Sequence, residues 1–225
     1  MLKQVVRCML PRAMLATIRN YRILSQQYGQ YNSIQKWDCI DESGAPIPWY
    51  CYPAIEYIKQ LDFSDKVVYE YGSGNLTLFW AARCKKIVSI EDNGDWYNKI
   101  KSKLPDNVEY HLCTKKEEYT RLINNYDYKF DVIVIDGSHR YECAVQAIGK
   151  LREDGFIILD NSDWHEKTSQ LFRESDLIEV DMSGFGPLNG YTWTTSFYLK
   201  RNVRLAPLFS RQPTHGIGSL TYQET

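Results

Sequence analysis

The residues able to do chemistry stand directly after apolar runs. Gly72-Ser73-Gly74-Asn75 follows VVYEY, Glu91 follows KIVSI, Asp136-Gly137-Ser138-His139 follows VIVI, and Asp160-Asn161 follows FIIL. A glycine turn that opens a helix offers free backbone N–H groups, and an acid closing the next strand can accept both hydroxyls of a ribose. Asp136, Asp160 and Asn161 together make an oxygen set suited to a hard divalent cation such as Mg²⁺. His139, with an ordinary pKa of about 6.5, suits a general base. Asp163 and His165 are close enough to serve either role. Each group also has a plainer reading: a tight βα turn for the glycines, a helix cap for Asp136 or Ser138, a simple turn for Asp160-Asn161.

The intervening text supplies the elements that must position these groups. Strands are expected at 67–71, 86–90, 108–112, 130–135, 156–159, 177–181 and 194–200. Helices are expected from 53, 76, 95, 116, 141 and 166. Strands and helices alternate up to the sixth strand, which calls for a mostly parallel sheet covered on both faces. Residues 182–193 are rich in glycine and proline and leave no room for a crossover helix, so the last strand must run antiparallel. In such a sheet a ligand binds beyond the carboxyl ends of the strands, where the chemical groups stand.

Residues 1–37 hold six Lys or Arg and no acid. Leu10, Met14, Ile18, Tyr21 and Tyr28 recur there at helical spacing, with Pro11 suited to start the helix and Gly29 to end it. Such a helix either packs on its own domain or lies on an anionic membrane or a partner. The expected division is 1–44 as a basic helical extension, 45–201 as the α/β domain and 202–225 as a loose tail.

The formal net charge of −1 implies no general affinity for nucleic acid. No apolar run reaches 18 residues. The six scattered cysteines, without a C-x-x-C pair, favour free thiols. A cytoplasmic protein, with peripheral membrane contact through the basic helix, is the expectation.

A dinucleotide fingerprint wants a small third residue after its two glycines, and here Thr77 stands there. Glu70, just before the turn, would repel a pyrophosphate but suits a ligand with an ammonium group. S-adenosylmethionine has that ammonium, a cationic sulfonium and no phosphate. The run Glu70-Tyr71-Gly72-Ser73-Gly74 resembles motif I of the class I S-adenosylmethionine-dependent methyltransferases, and the likeness extends over about residues 45–200, through DVIVIDGSHRYECA and LREDGFIILDNSD.

The resemblance implies a Rossmann-like seven-stranded sheet, mostly parallel with an antiparallel last strand and helices on both faces. It implies cofactor contacts from Glu70, Gly72, Gly74, Asn75, Glu91 and Asp136, with Cys113 and Thr114 bordering the adenine. Asp136, Asp160 and Asn161 are placed as in metal-dependent O-methyltransferases of the catechol and macrolide-sugar types. That implies Mg²⁺ at the acceptor hydroxyl, with His139 and Asp136 catalytic. Trp49, Tyr52, Trp193 and the loop before Trp193 would shape a pocket for a small molecule or glycan precursor. Metal-free methyl transfer, a nicotinamide-dependent oxidoreductase and a non-catalytic cofactor-binding module remain as alternatives.

Overall fold

The computed structural model describes residues 10–220. Cys8, the first basic residues and the end of the tail lie outside that range.

Seven strands form one sheet: β1 Val67–Tyr71, β2 Lys86–Glu91, β3 Val108–Leu112, β4 Phe130–Ile135, β5 Leu151–Asp160, β6 Ile178–Gly184 and β7 Trp193–Leu199. Their spatial order is β3-β2-β1-β4-β5-β7-β6. β1 to β5 pair in parallel, and β7 lies antiparallel between β5 and β6. The chain winds outward from β1 to β3, then returns to place β4 beside β1. The carboxyl ends of β1 and β4 therefore flank the switch point where ligands bind in such sheets.

The helices are α1 Arg12–Arg22, α2 Gln30–Lys36, α3 Tyr52–Lys59, α4 Asn75–Ala81, α5 Gly94–Lys101, α6 Lys116–Arg121, α7 Arg140–Lys150 and α8 Glu166–Glu174. A π-helical turn, Ile23–Gln27, continues α1 towards Gly29, whose φ of 76° ends the run. Pro53 sits in the first turn of α3, where its missing N–H has no helical partner to lose.

Side chains alternate across a strand, so each strand feeds two cores. Val68, Ile87, Val132, Val134, Phe156, Ile158 and Phe197 pack under residues 39–63 and α4. Tyr69, Tyr71, Val88, Ile90, Ile133, Ile135, Ile157 and Leu159 pack on the other face with Cys143, Ala144, Ala147 and Phe172. The central strands are buried on both faces, as parallel strands covered by helices must be.

Two boundaries differ from the sequence reading. The strand expected at 156–159 begins earlier, at Leu151 beside Phe130, so the helix expected from 141 stops at Lys150. Packing also does not break at residue 44: Cys39 and Ile47 belong to the same core as Phe197.

Phe197 is 1% exposed and packs its ring against Phe156 and Tyr57. Phe197→Ala should cost about 3–5 kcal/mol in urea unfolding, with no change in the denaturant slope.

Candidate functional site

Gly72, with φ of 96°, carries the chain out of β1. It lies against the backbone of Gly137, which leaves β4: a Cβ on Gly72 would come within 2.9 Å of the Gly137 Cα and N. The two loops touch backbone to backbone, so a side chain on either would force them apart. Asp136 N donates to Tyr71 O (3.0 Å), which joins the two strand ends.

The turn rests on Glu70. This side chain is fully buried, on the sheet face covered by residues 39–63. Its Oε2 accepts from Thr77 Oγ1 (2.7 Å) and Ser89 Oγ (2.5 Å). Thr77 Oγ1 in turn accepts from Gly74 N (3.1 Å), which fixes the start of α4. Burial pushes the Glu70 carboxyl up to about 8, although both hydroxyls pull it down. Near neutral pH it is an uncharged strut beneath the turn.

Glu91 closes β2. Its Oε1 accepts from the backbone N of Asp92 (3.1 Å) and Asn93 (3.0 Å), and its Oε2 from Ser73 Oγ (2.6 Å). Trp96 Nε1 donates to Ser73 O (2.8 Å), and Lys99 Nζ lies 4.4 Å from the centre of the Trp96 ring.

Glycine turn, strand-end acids and surrounding loops enclose one cleft of about 630 Å³. Gly72, Gly74, Asn75, Glu91, Asp136, Asp160, Asn161 and Trp49, all singled out in the sequence, line it. Its far wall joins segments distant in sequence. Trp49 Nε1 donates to Asn189 Oδ1 (3.2 Å), Tyr52 N to Phe185 O (2.7 Å) and Gln30 Nε2 to Gly186 O (2.8 Å). Trp37, Trp49, Trp164 and Tyr191 stand at the cleft with much of their rings exposed.

Several expected site residues are elsewhere. Glu70 lies beneath the turn rather than in the cleft, because Thr77 and Ser89 hold it in the core. Cys113 is buried in the opposite core, and Thr114 is exposed outside the cleft. Tyr52 is buried against Tyr28, at 4.4 Å between ring centres. Trp193 is buried, with Nε1 donating to Asp160 Oδ1 (3.0 Å). His139 is exposed, in a left-handed conformation (φ 54°) with its ring edge-on to Tyr119, and does not line the cleft.

The expected metal ligands meet a different cation. Arg140 Nη2 donates to Asp136 Oδ1 (3.1 Å) and Asp136 O (3.3 Å), its Nε donates to Gly137 O (3.1 Å), and its Nη1 donates to Asp160 O. Asp160 Oδ1 already accepts from Thr195 Oγ1 (2.5 Å) and Trp193 Nε1. Burial, and then the charge of Asp136, push the Asp160 carboxyl well above the usual carboxylate range. A guanidinium fills the cationic position, and Asp160 Oδ1 is already engaged by Thr195 and Trp193 where burial disfavours its charged form, so this donor set does not fit Mg²⁺. Burial pushes Asp136 up to about 6, with Arg140 opposing.

Trp37, Asp38, Cys39, Trp96, Lys99, Arg140 and Trp164 are cleft residues that the sequence reading did not assign to the site, whereas Tyr191 comes from the loop before Trp193, which it did. Arg140 had only a weak signal: it is the one cation standing between the strand-end acid Asp136 and the apolar text of the following helix. The aromatic residues had none.

No family model matches the chain, and no curated protein matches it by sequence. Solved structures do resemble it. Precorrin-6y C5,15-methyltransferase from Geobacter metallireducens GS-15 is 14% identical, and the match spans 65% of this chain and 86% of that one at a TM-score of 0.53. An rRNA methylase from Streptococcus thermophilus is 18% identical over 64% and 92% of the two chains, at 0.48. Spermidine synthase from Thermotoga maritima is 17% identical over 61% and 53%, at 0.47. The likeness to the first is one of fold: the seven-stranded sheet with its reversed last strand is a Rossmann-like methyltransferase fold.

The Glu70 strut has a pH signature. A carboxyl raised from an ordinary 4.5 to about 8 contributes stability that is fully present below pH 4.5 and is lost as pH rises to about 8. Glu70→Gln keeps an acceptor for the two hydroxyls but cannot ionise. The melting temperature of the variant relative to wild type should climb between pH 5 and 8.5, and then level off.

Proposed function

We propose that this chain is an S-adenosylmethionine-dependent methyltransferase that acts on a hydroxyl of an uncharged, ring-bearing small molecule, a glycan precursor included, without a divalent metal. The observation that carries the reading is the sharing of one cleft by the glycine turn, Glu91 and Asp136 at the β1/β4 switch point.

The residues present fit that cofactor. Asn75 opens a helix directly after the turn, and Glu91 already accepts a hydroxyl from Ser73, the kind of contact a ribose makes. Among the cleft residues Lys and Arg are represented by Lys99 and Arg140, and Arg140 is committed to Asp136 and three carbonyls. A pyrophosphate would find little cationic support there, which disfavours a nicotinamide dinucleotide. Thr77, at the position where a dinucleotide fold wants a small residue, is occupied in bonding Glu70.

The cofactor brings a methyl group already activated on a cationic sulfur. The protein must align the acceptor and receive its proton, and alignment alone can contribute up to about 7–11 kcal/mol. Asp136 is the proton acceptor in this reading: Arg140 holds its Oδ1 and leaves Oδ2 for an acceptor hydroxyl. A carboxyl raised to about 6 is still mostly ionised at neutral pH, yet more basic than an ordinary aspartate. The exposed faces of Trp37, Trp49, Trp164 and Tyr191 suit a ring. Asn161, Asn189 and Asp38 line the same cleft with hydrogen-bonding capacity for its substituents.

Calorimetry with S-adenosylhomocysteine tests the cofactor. Wild type should bind it, Glu91→Ala should weaken binding at least about tenfold, and neither Mg²⁺ nor EDTA should change the affinity. No binding by wild type, or stabilisation by NADH instead, would overturn the reading.

The proton acceptor is tested by following S-adenosylhomocysteine release with a panel of phenols and glycosides. Asp136→Asn should lower kcat by about 10²–10⁴-fold while cofactor binding is retained. Because Asp136 works ionised, the wild-type rate should rise with pH about a midpoint near 6.

A further inference from the structure

Helix α1 is only thinly covered: Leu15 and Ile18 are half-buried and its other residues are exposed. None of its residues is buried, and Met14 and Tyr21 are 52% and 64% exposed. Met14, Ile18 and Tyr21 follow at intervals of four and three, so they share one face. The helix touches the rest of the chain at its far end, where Arg19 reaches Gly218 O (3.5 Å) and Ile23 lies against Gly218. In α2, Tyr31 and Ile34 are also exposed and three residues apart, and Trp37, 69% exposed, follows at the helix end. An apolar face left in water is unfavourable, and ordinary monomers do not expose such residues in series.

The charges on this segment all have one sign. Its basic residues, Arg12, Arg19, Arg22 and Lys36, meet no acid before Asp38, and the first 37 residues hold six of the chain's 27 Lys and Arg. All 28 acidic residues belong to the rest of the chain, against the other 21 basic ones. An anionic surface would therefore attract this segment and repel the body. Arginine beside exposed tyrosine, tryptophan and aliphatic side chains is the composition that settles in the headgroup region of a bilayer. Among the described residues no helix is long and apolar enough to cross a membrane, so the mode of contact is to lie on the surface.

We propose that residues 12–37 bind the surface of an anionic phospholipid bilayer, with Met14, Ile18 and Tyr21 entering the headgroup region and the arginines meeting lipid phosphates. The segment ends at Trp37, which holds a left-handed backbone (φ 51°) and lines the cleft. Bound this way, the protein brings its cleft to the membrane and would meet acceptors carried there. The surface contact does not depend on the methyltransferase reading.

The test is co-sedimentation of the full chain with vesicles of phosphatidylcholine alone or with 30% phosphatidylglycerol. Wild type should bind the anionic vesicles at low salt, at least about tenfold more tightly than neutral ones, and be released at 0.5 M NaCl. Met14→Glu with Tyr21→Glu changes two exposed side chains. This variant should lose at least about tenfold in vesicle affinity while its melting temperature and S-adenosylhomocysteine affinity stay unchanged. Equal binding of wild type and variant to anionic vesicles, or no binding by either, would overturn the proposal. So would light scattering that shows a wild-type dimer and a monomeric variant, since the face would then belong to a second copy.

Discussion

Three carboxyl groups, Glu70, Asp136 and Asp160, stand at the carboxyl ends of adjacent strands, and the one guanidinium among them, Arg140, pairs with the carboxyl of Asp136 alone. In a region of low dielectric this imbalance governs the rest. Arg140 pairs with Asp136 and ties the ends of β4 and β5 through their carbonyls. Asp160 is left to Thr195 and Trp193, and Glu70 to Thr77 and Ser89. Charge is favoured where a counter-charge exists and disfavoured where only hydroxyl and indole donors are available. The result is one carboxylate that faces the cleft and two carboxyls that serve as supports.

This arrangement explains why the antiparallel last strand matters to the site. β7 enters between β5 and β6 and brings Trp193 and Thr195 to Asp160. A seventh strand added outside β6 would leave Asp160 buried without donors. The loop that precedes β7 then forms the cleft wall, bonded to Gln30, Trp49 and Tyr52. Residues 30–52 are thus built into the cleft wall, while α1 stands outside it.

Much of the fold was legible in the sequence because its signals are local. Apolar runs of strand length alternate with helical text, and the absence of a crossover between β6 and β7 forces them antiparallel. The end of α7 was not legible. Ile148 to Leu151 reads as helix by its own composition, and the strand begins there because Phe130 pairs with Leu151 across the sheet. The strand-end groups of the site were legible for a similar reason: topology sends every parallel strand end to one edge, so Gly72, Glu91, Asp136 and Asp160 had to meet.

By itself, the sequence determined which backbone positions carry glycine, acid and amide at that edge, since strand period and turn chemistry are properties of neighbouring residues. Only the tertiary structure decided which way each side chain faces and what it meets. Glu70 turns into the core because strand alternation points it at the face covered by residues 39–63, where Thr77 and Ser89 provide its donors. His139 turns outward because the loop after β4 bends at a left-handed residue. Arg140, one position later, turns inward and takes the place expected for a metal. Those outcomes depend on partners from other strands and helices, and the balance of desolvation against pairing that selects them exists only once the chain is packed.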